Sequence, residues 1–402
     1  MQTLRDLRHL PRNVWAVSLT SFLTDISSEM VINLVPLFLA NVLGVRTGVI
    51  GLIEGVAEAT ASLLKLVSGQ LSDRIGGRKW LAVLGYGLSA ASKPFYYGAT
   101  TWGTIAGVRW ADRVGKGIRT APRDALLADS VDPAVRGLGF GFQRTADTAG
   151  AFLGLAIAWF VVWRAQASTL ALDRSTFQTL VLLSLLPAFL AVVVLAAGAR
   201  DVPRAPARAQ TLTLTRGLGR PFLLFLVIAG LFDLGNSSDA FLVLRAQERG
   251  AGVLDVLGML LVFNAVYTLV STPAGQFSDR VGRGRVLAGG WLLYALVYLG
   301  FAFAPGAGAI WGLYALYGLY YGMSYGTAKA LIADLVPAEQ RGSAYGAYNA
   351  LLGVLDLPAS LIAGLLWQGW GRWTGLGPSA PFLFGAALAL LATAALLLWR
   401  KI

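Results

Sequence analysis

Apolar stretches long enough to cross a bilayer recur along the whole chain, broken by short polar segments. A helix rising about 1.5 Å per residue needs about 20 apolar residues to span the hydrocarbon core. On that measure the pattern predicts spans over 13–42, 47–72, 79–98, 101–124, 137–163 and 177–198, then over 220–246, 253–277, 285–304, 307–334, 342–369 and 380–399. Residues 199–219 differ: they hold Pro and Gly breakers and many arginines, but no long apolar run. That is the composition of a polar linker. The expected fold is an all-α membrane protein of twelve transmembrane helices, with one six-helix bundle over 1–198, a cytoplasmic linker over 199–219 and a second six-helix bundle over 220–402.

The two halves echo each other. Gly69-Gln70-Leu71-Ser72-Asp73-Arg74-Ile75-Gly76 returns as Gly275-Gln276-Phe277-Ser278-Asp279-Arg280-Val281-Gly282, six of eight residues identical, 206 positions on. Ala128-Asp129, Arg136-Gly137 and Gly141 return as Ala333-Asp334, Arg341-Gly342 and Gly346, 205 positions on. Two echoes in the same order at nearly the same offset indicate a duplicated unit, and duplication in so apolar a chain points to a two-bundle transporter.

Charge placement supplies the orientation. Basic residues group in alternate loops: Arg5, Arg8 and Arg12; Arg74, Arg78 and Lys79; Arg123 and Arg136; the arginines of 199–219; Arg280, Arg283 and Arg285; Arg341; and Arg400 with Lys401. This positive-inside pattern puts both termini and the linker in the cytoplasm, and it accounts for the net charge of +12 without nucleic acid. Only 13% of residues are charged, against about 25% in ordinary soluble domains, which argues against a soluble protein. No signal peptide is expected, because the polar, basic opening leads into an apolar stretch too long for one. With no cysteine, neither a disulfide nor a thiolate metal site can form, and the lone His9 sits in the basic opening stretch. No zinc or copper site and no cofactor are expected. Gly115-Lys116-Gly117 lacks the Ser or Thr of a phosphate-binding loop, so transport would run on a gradient and not on ATP. Without a nucleophile elbow or a His-bearing triad, an enzyme is not expected.

The echoed string followed by Arg78-Lys79 resembles the loop motif of the major facilitator superfamily, which repeats it after the eighth helix, where the second copy lies. Arg113-Val114-Gly115-Lys116-Gly117 resembles an element that the family links to proton handling, with Lys116 at a usual Gln. Gly141, Gly150 and Gly154 match the first part of an antiporter motif; Leu155, Ala158 and Trp159 depart from the rest. The resemblance is greatest to bacterial proton antiporters of the drug-efflux type. It implies the two-bundle fold of that superfamily, a gate made of Gly69, Asp73, Arg74, Arg78, Gly275, Asp279 and Arg280, and an Asp73 partner at the start of the eleventh helix near Gly342.

Ionisable groups inside a bilayer cost several kcal/mol unless they face water or a partner. Asp25 and Glu29 stand four apart on one face of the first span, as do Glu54 and Glu58 on the second. The fourth span carries Arg109, Asp112, Arg113, Lys116 and Arg119, the fifth Arg144 and Asp147, and the seventh Asp233, Asn236 and Asp239. Lys65, Lys93, Lys329 and Asp356 complete the set. Counting about 1.5 Å per residue puts Asp25 roughly 18 Å into its span. Asp112, Arg113 and Asp233 fall at similar depth, and the resemblance implies that their helices line a central cavity. The expected proton-coupling and substrate residues are Asp25, Glu29, Glu58, Arg109, Asp112, Arg113, Asp147, Asp233 and Asp239. Asp112 with Arg109 or Arg113, and Arg144 with Asp147, can equally be permanent structural pairs. Tyr314, Tyr317, Tyr320, Tyr321 and Tyr325 cover more than one helix face, so they divide between substrate stacking and packing.

The expected function is proton-coupled efflux of a small cationic or neutral amphiphile by a monomer in the cell (inner) membrane, with protons and lipid as its other partners. A solute importer or a divalent-metal exporter using the acids of the first two spans is the alternative of the same fold. A receptor or lipid-handling protein that moves no solute is the alternative of another class.

Overall fold

The computed structural model describes residues 10–75, 77–131, 136–166, 169–202, 218–337 and 340–399. It is a helical protein: α1 (Arg12–Glu29), α2 (Thr47–Ile75), α3 (Lys79–Ser92), α4 (Trp102–Ser130), α5 (Arg136–Gln166) and α6 (Arg174–Gly198) are followed by α7 (Gly219–Leu234), α8 (Ala240–Glu248), α9 (Val253–Val281), α10 (Arg283–Phe303), α11 (Ala307–Leu335), α12 (Arg341–Gln368) and α13 (Ala380–Leu398). Each predicted span falls on a helix, but three are interrupted. The first leaves regular α-helix after Glu29 and continues through 3₁₀ and π turns to Val42, with Pro36 in the irregular part. The third breaks at Lys93, before Pro94. The seventh unwinds between Leu234 and Ala240, over the weak helix formers Gly235-Asn236-Ser237-Ser238-Asp239. Most of the linker, 203–217, lies outside the described residues.

Among the described residues, seven helices are long and apolar enough to cross a membrane: Arg12–Val42, Gly139–Gln166, Arg174–Gly198, Val253–Val281, Arg283–Phe303, Ala344–Gln368 and Ala380–Leu398. Three of the remaining helices have evident reasons for falling short. α4 is studded with charge, while α3 and α7 are cut short by the breaks at their ends.

The chain forms two compact units. Unit 1 comprises Met1–Leu43, Thr60–Gln166 and Leu172–Thr211, and unit 2 comprises Gly44–Ala59, Ala167–Ala171 and Leu212–Ile402. α2 is therefore divided, its first part belonging to unit 2.

Glycine sets the helix crossings in unit 1. A β-carbon at Gly85 would stand 2.6 Å from Gly115 O, and one at Gly154 would stand 2.5 Å from Ile26 O. Gly150 packs on the backbone of Phe22 in the same way. These positions let α3 meet α4, and α1 meet α5, at backbone contact. An apolar cluster that includes Val14, Val17, Ala82, Tyr86, Leu126 and Leu195 closes around them. At the start of α1, Asn13 donates to Ser130 Oγ (2.7 Å) and Arg200 O (2.8 Å), and its Oδ1 accepts from Arg200 N (2.8 Å). Polar capping thus ties three chain segments together.

In unit 2 the first part of α2 runs along α12. A β-carbon at Gly55 would come 2.8 Å from Leu357 Cα, and one at Gly364 would come 2.6 Å from Gly48 Cα. α8 is held by Arg245, which is 0% exposed. Its guanidinium donates to Phe301 O (2.8 Å), Ala302 O (2.6 Å), Ser379 Oγ (3.0 Å) and Glu248 Oε2 (2.6 Å). These acceptors use the donor fork fully enough to make the buried cation tolerable.

The α3–α4 crossing is the tightest test of this packing. Gly115→Leu should lower unfolding stability by about 1–3 kcal/mol, the range for overpacking. Gly107→Ala, at a site with nothing within 4 Å, should lose none. Thermal unfolding of the purified protein in detergent measures both.

Candidate functional site: buried charge and an aromatic cavity

The echoed sequence strings fold alike. In each copy the motif serine bonds back to the motif glycine: Ser72 Oγ donates to Gly69 O (2.8 Å) and Ser278 Oγ to Gly275 O (2.7 Å). The arginine that follows the motif reaches the aspartate of the second echo. Arg78 pairs with Asp129 at 2.8 Å and Arg283 with Asp334 at 3.0 Å. The same 51 positions separate arginine and aspartate in both copies. Asp129 and Asp334 stood out in the sequence as repeats but carried no role; equal spacing from a repeated arginine was the available signal. Asp201 adds to the first copy by accepting from Arg78 N (2.7 Å) and Lys79 N (2.8 Å) at the start of α3, a favourable place for an anion.

Other expected gate residues behave differently. Asp279 is 63% exposed at its side chain and pairs with Arg283 at 3.3 Å. Arg280 is exposed. Gly69 packs near Ala121 Cβ, while a β-carbon at Gly275 would meet nothing within 4 Å. Gly282 ends α9 with φ 107°, a conformation suited to glycine. The side chains of Asp73 and Arg74, and those of 341–343 at the start of α12, lie outside the described residues, so the expected Asp73 pairing does too.

Unit 1 gathers most of the predicted charges. The Gly150 and Gly154 crossing sets α1 against α5, bringing Asp25, Glu29 and Asp147 into one neighbourhood. Asp25 is half-buried and within electrostatic reach of Asp147, Glu29, Arg119 and Arg123. Glu29, also half-buried, accepts from Asn33 Nδ2 (2.7 Å) and is within reach of Lys116, Arg113 and Lys93. No ion pair to either acid is present among the described residues. Lys93 is buried at the break after α3, where its ammonium donates to Ser27 and to Ser28 Oγ (3.2 Å). Asp112 is buried, 3.9 Å from Arg109, with Arg113, Lys93 and Arg119 in reach. Arg119 donates to Ser89 Oγ (2.8 Å) and lies 4.4 Å from the centre of the Tyr86 ring.

The expected Arg144–Asp147 pair is long, at 3.9 Å, and Arg144 is 58% exposed at its side chain. The stronger partner of Asp147 is Gln143, which donates to both carboxylate oxygens at 2.8 Å and also contacts Ser21 Oγ (3.1 Å). Gln143 is a neutral residue, and a search for charge passed over it. Like charges gathered in a partly buried place repel one another unless nearby cations offset them, and Arg119, Arg123, Lys93, Arg113 and Lys116 stand within reach of these acids.

Unit 2 holds a different site. A cavity of about 180 Å³ is lined by Phe232, Asp233, Asn236, Trp291, Tyr320, Tyr321, Ser324, Tyr325 and Tyr348, with aliphatic groups between them. Asp233 is buried at the end of α7, and Asp356 is within electrostatic reach. The five tyrosines of α11 divide. Tyr314 packs edge-on against Phe301 at 5.7 Å, and Tyr317 donates to Asp239 Oδ1 (2.8 Å), while Tyr320, Tyr321 and Tyr325 face the cavity. Asp239 is exposed and lies outside that lining. Glu54 is buried and Glu58 half-buried on the part of α2 that belongs to unit 2. Among the described residues no group of three or more His, Cys, Asp or Glu could hold a metal ion.

The chain belongs to the Major Facilitator Superfamily, whose family profile matches residues 17–356 and, in a second match, 241–402. It is 34% identical over 391 residues to an uncharacterized MFS-type transporter of Methanocaldococcus jannaschii, covering 96% of this chain and 94% of that protein. In fold it resembles the nucleoside transporter NupG (TM-score 0.76, 14% identity, 97% and 99% of the two chains). It also resembles the POT family transporter PepTSo (TM-score 0.79, 12% identity, 97% and 98%). The protein is thus a multi-pass membrane transporter of that superfamily.

The repeated arginine–aspartate tie should be measurable. A double-mutant cycle of Arg78→Ala and Asp129→Ala should give a coupling of about 1 kcal/mol in thermal unfolding, as expected for a partly buried pair. The Arg283–Asp334 cycle should give less, because Asp334 is more exposed (54% against 22% for Asp129).

Proposed function

We propose that the protein is a secondary active transporter that exports a small cationic or neutral amphiphilic solute in exchange for protons, by alternating access, as a monomer in the cell membrane. The observation that carries this is the unit 1 cluster, where Asp25, Glu29 and Asp147 share a partly buried polar neighbourhood with Lys93, Arg119 and Arg123 but, among the described residues, form no close ion pair through Asp25 or Glu29. Such acids can take up and release a proton as water reaches them in one state and leaves in another. Asp112, held among Arg109, Arg113 and Arg119, serves as a fixed counter-charge. The same proposal includes twelve spans, six on each side of a cytoplasmic linker at 199–219, with both termini inside; the loop motifs with their Arg–Asp ties act as cytoplasmic gate elements.

Import is the second reading. NupG and PepTSo are described as nucleoside and POT family transporters, and the row of cations on α4 suits a solute with acceptor groups. The divalent-metal alternative lacks a donor set among the described residues.

In vesicles reconstituted with the protein, a pH gradient should drive flux of an amphiphilic dye cation. Asp25→Asn should reduce that flux to background while leaving insertion and gradient-free exchange intact. Normal gradient-driven flux in Asp25→Asn and in Glu29→Gln would sink the coupling assignment. Because the chain has no cysteine, Ala209→Cys supplies a single reporter for topology. A membrane-impermeant maleimide should label it in inside-out vesicles and not in right-side-out ones.

A further inference from the structure

The unit 2 cavity combines negative charge with aromatic walls. Asp233 is 6% exposed, and its Oδ2 has no hydrogen-bond partner among the described residues. The charged group that bears on it is a second carboxylate, Asp356. Asp233 stands one residue before the end of α7, where the last carbonyls of the helix add about half a negative charge. The unwound stretch that follows contributes Asn236, whose Oδ1 is likewise unpartnered. Around these acceptors stand the rings of Phe232, Trp291, Tyr320, Tyr321 and Tyr348. Phe232 and Trp291 stack at 4.6 Å, and Tyr320 and Tyr321 meet edge-on at 5.2 Å. At another lining residue the chain already places a cation over a ring, with Lys329 Nζ 4.3 Å from the centre of Tyr325.

These features narrow the ligand. An anion would meet like charge from Asp233 and the end of α7. A bare inorganic dication needs six or more oxygens, which aromatic walls do not provide. An organic cation suits both parts, its charge met by the carboxylate and its carbon surface by π faces. The volume of about 180 Å³ equals roughly six waters, room for a head group and not for a large drug. We infer that this cavity binds the head of an organic ammonium or guanidinium compound, with Asp233 as counter-charge and Trp291, Tyr320, Tyr321 and Tyr348 as the cage. The inference rests on the transport reading above, but it assigns recognition to unit 2 where proton exchange was assigned to unit 1.

Calorimetric titration of the purified full chain in detergent tests it without any gradient. Benzyltrimethylammonium should bind saturably, and the neutral 3-phenylpropan-1-ol, of similar size, should not. Asp233→Asn and Trp291→Leu should each weaken the cation by about tenfold or more, the loss expected when a desolvated cation loses its counter-charge or its best ring. Asp233→Glu and Trp291→Phe, which keep charge and ring, should restore most of the binding and show that the site has not simply unfolded. No binding by the wild type, equal binding of cation and alcohol, or an Asp233→Asn variant that binds like the wild type would each overturn the inference. Cation binding that depends on Asp233, alongside failed proton-driven flux, would support this site and remove only the coupling assignment.

Discussion

Charge inside an apolar helical protein is tolerable only where helices approach closely enough for polar groups to serve one another. In this chain small residues create that approach. Gly150 and Gly154 bring α5 to the backbone of α1, and Gly85 and Gly115 bring α3 to α4. Replacing these glycines with ordinary side chains would push the helices apart by ångströms. Asp25, Asp147, Gln143 and Ser21 would then lose one another, and the buried arginines of α4 their acceptors.

The duplication accounts for the shared framework and for the divergence within it. Both units keep the serine-to-glycine bond and the arginine–aspartate tie at equal spacing, features that hold the helix ends. Their interiors have parted. Unit 1 is rich in cations and balances its acids among several neighbours. Unit 2 has replaced most of that chemistry with aromatic rings around Asp233. A fold copied once can thus devote its halves to different work, because the ties that preserve each half lie away from the residues that differ.

Much of this was legible in the sequence. The apolar periodicity marked where helices run, and the echoed strings exposed the repeat and the family. The acids at Asp25 and Glu29, and Asp233, were visible because charge in an apolar span is conspicuous. What could not be read has physical causes. Helix breaks after Glu29, at Lys93 and at Gly235 go with Pro36, Pro94 and a run of weak helix formers, local signals that hydropathy does not register. Neutral partners such as Gln143, Ser21 and Ser27 carry no signal in a search for charge. The division of the α11 tyrosines needed their helix's rotation, which a stretch aromatic on several faces does not specify. Trp291 and Tyr348 reach the cavity from α10 and α12, a meeting that no spacing along the chain announces.

The gap between α7 and α8 has one more effect. Phe301 O, Ala302 O and Ser379 Oγ grip Arg245 and fasten α8 to the ends of α10 and α13, whereas α7 bears Asp233, whose Oδ2 has no hydrogen-bond partner among the described residues. Five residues outside regular helix, 235–239, separate the fastened piece from the one that carries Asp233. A change of charge or occupancy at Asp233 can therefore be taken up by a few backbone torsions in that gap. An unbroken rod would have to tilt as a whole, tearing the arginine from its carbonyls, so the discontinuity lets this part of the molecule yield in one place and stay rigid in the next.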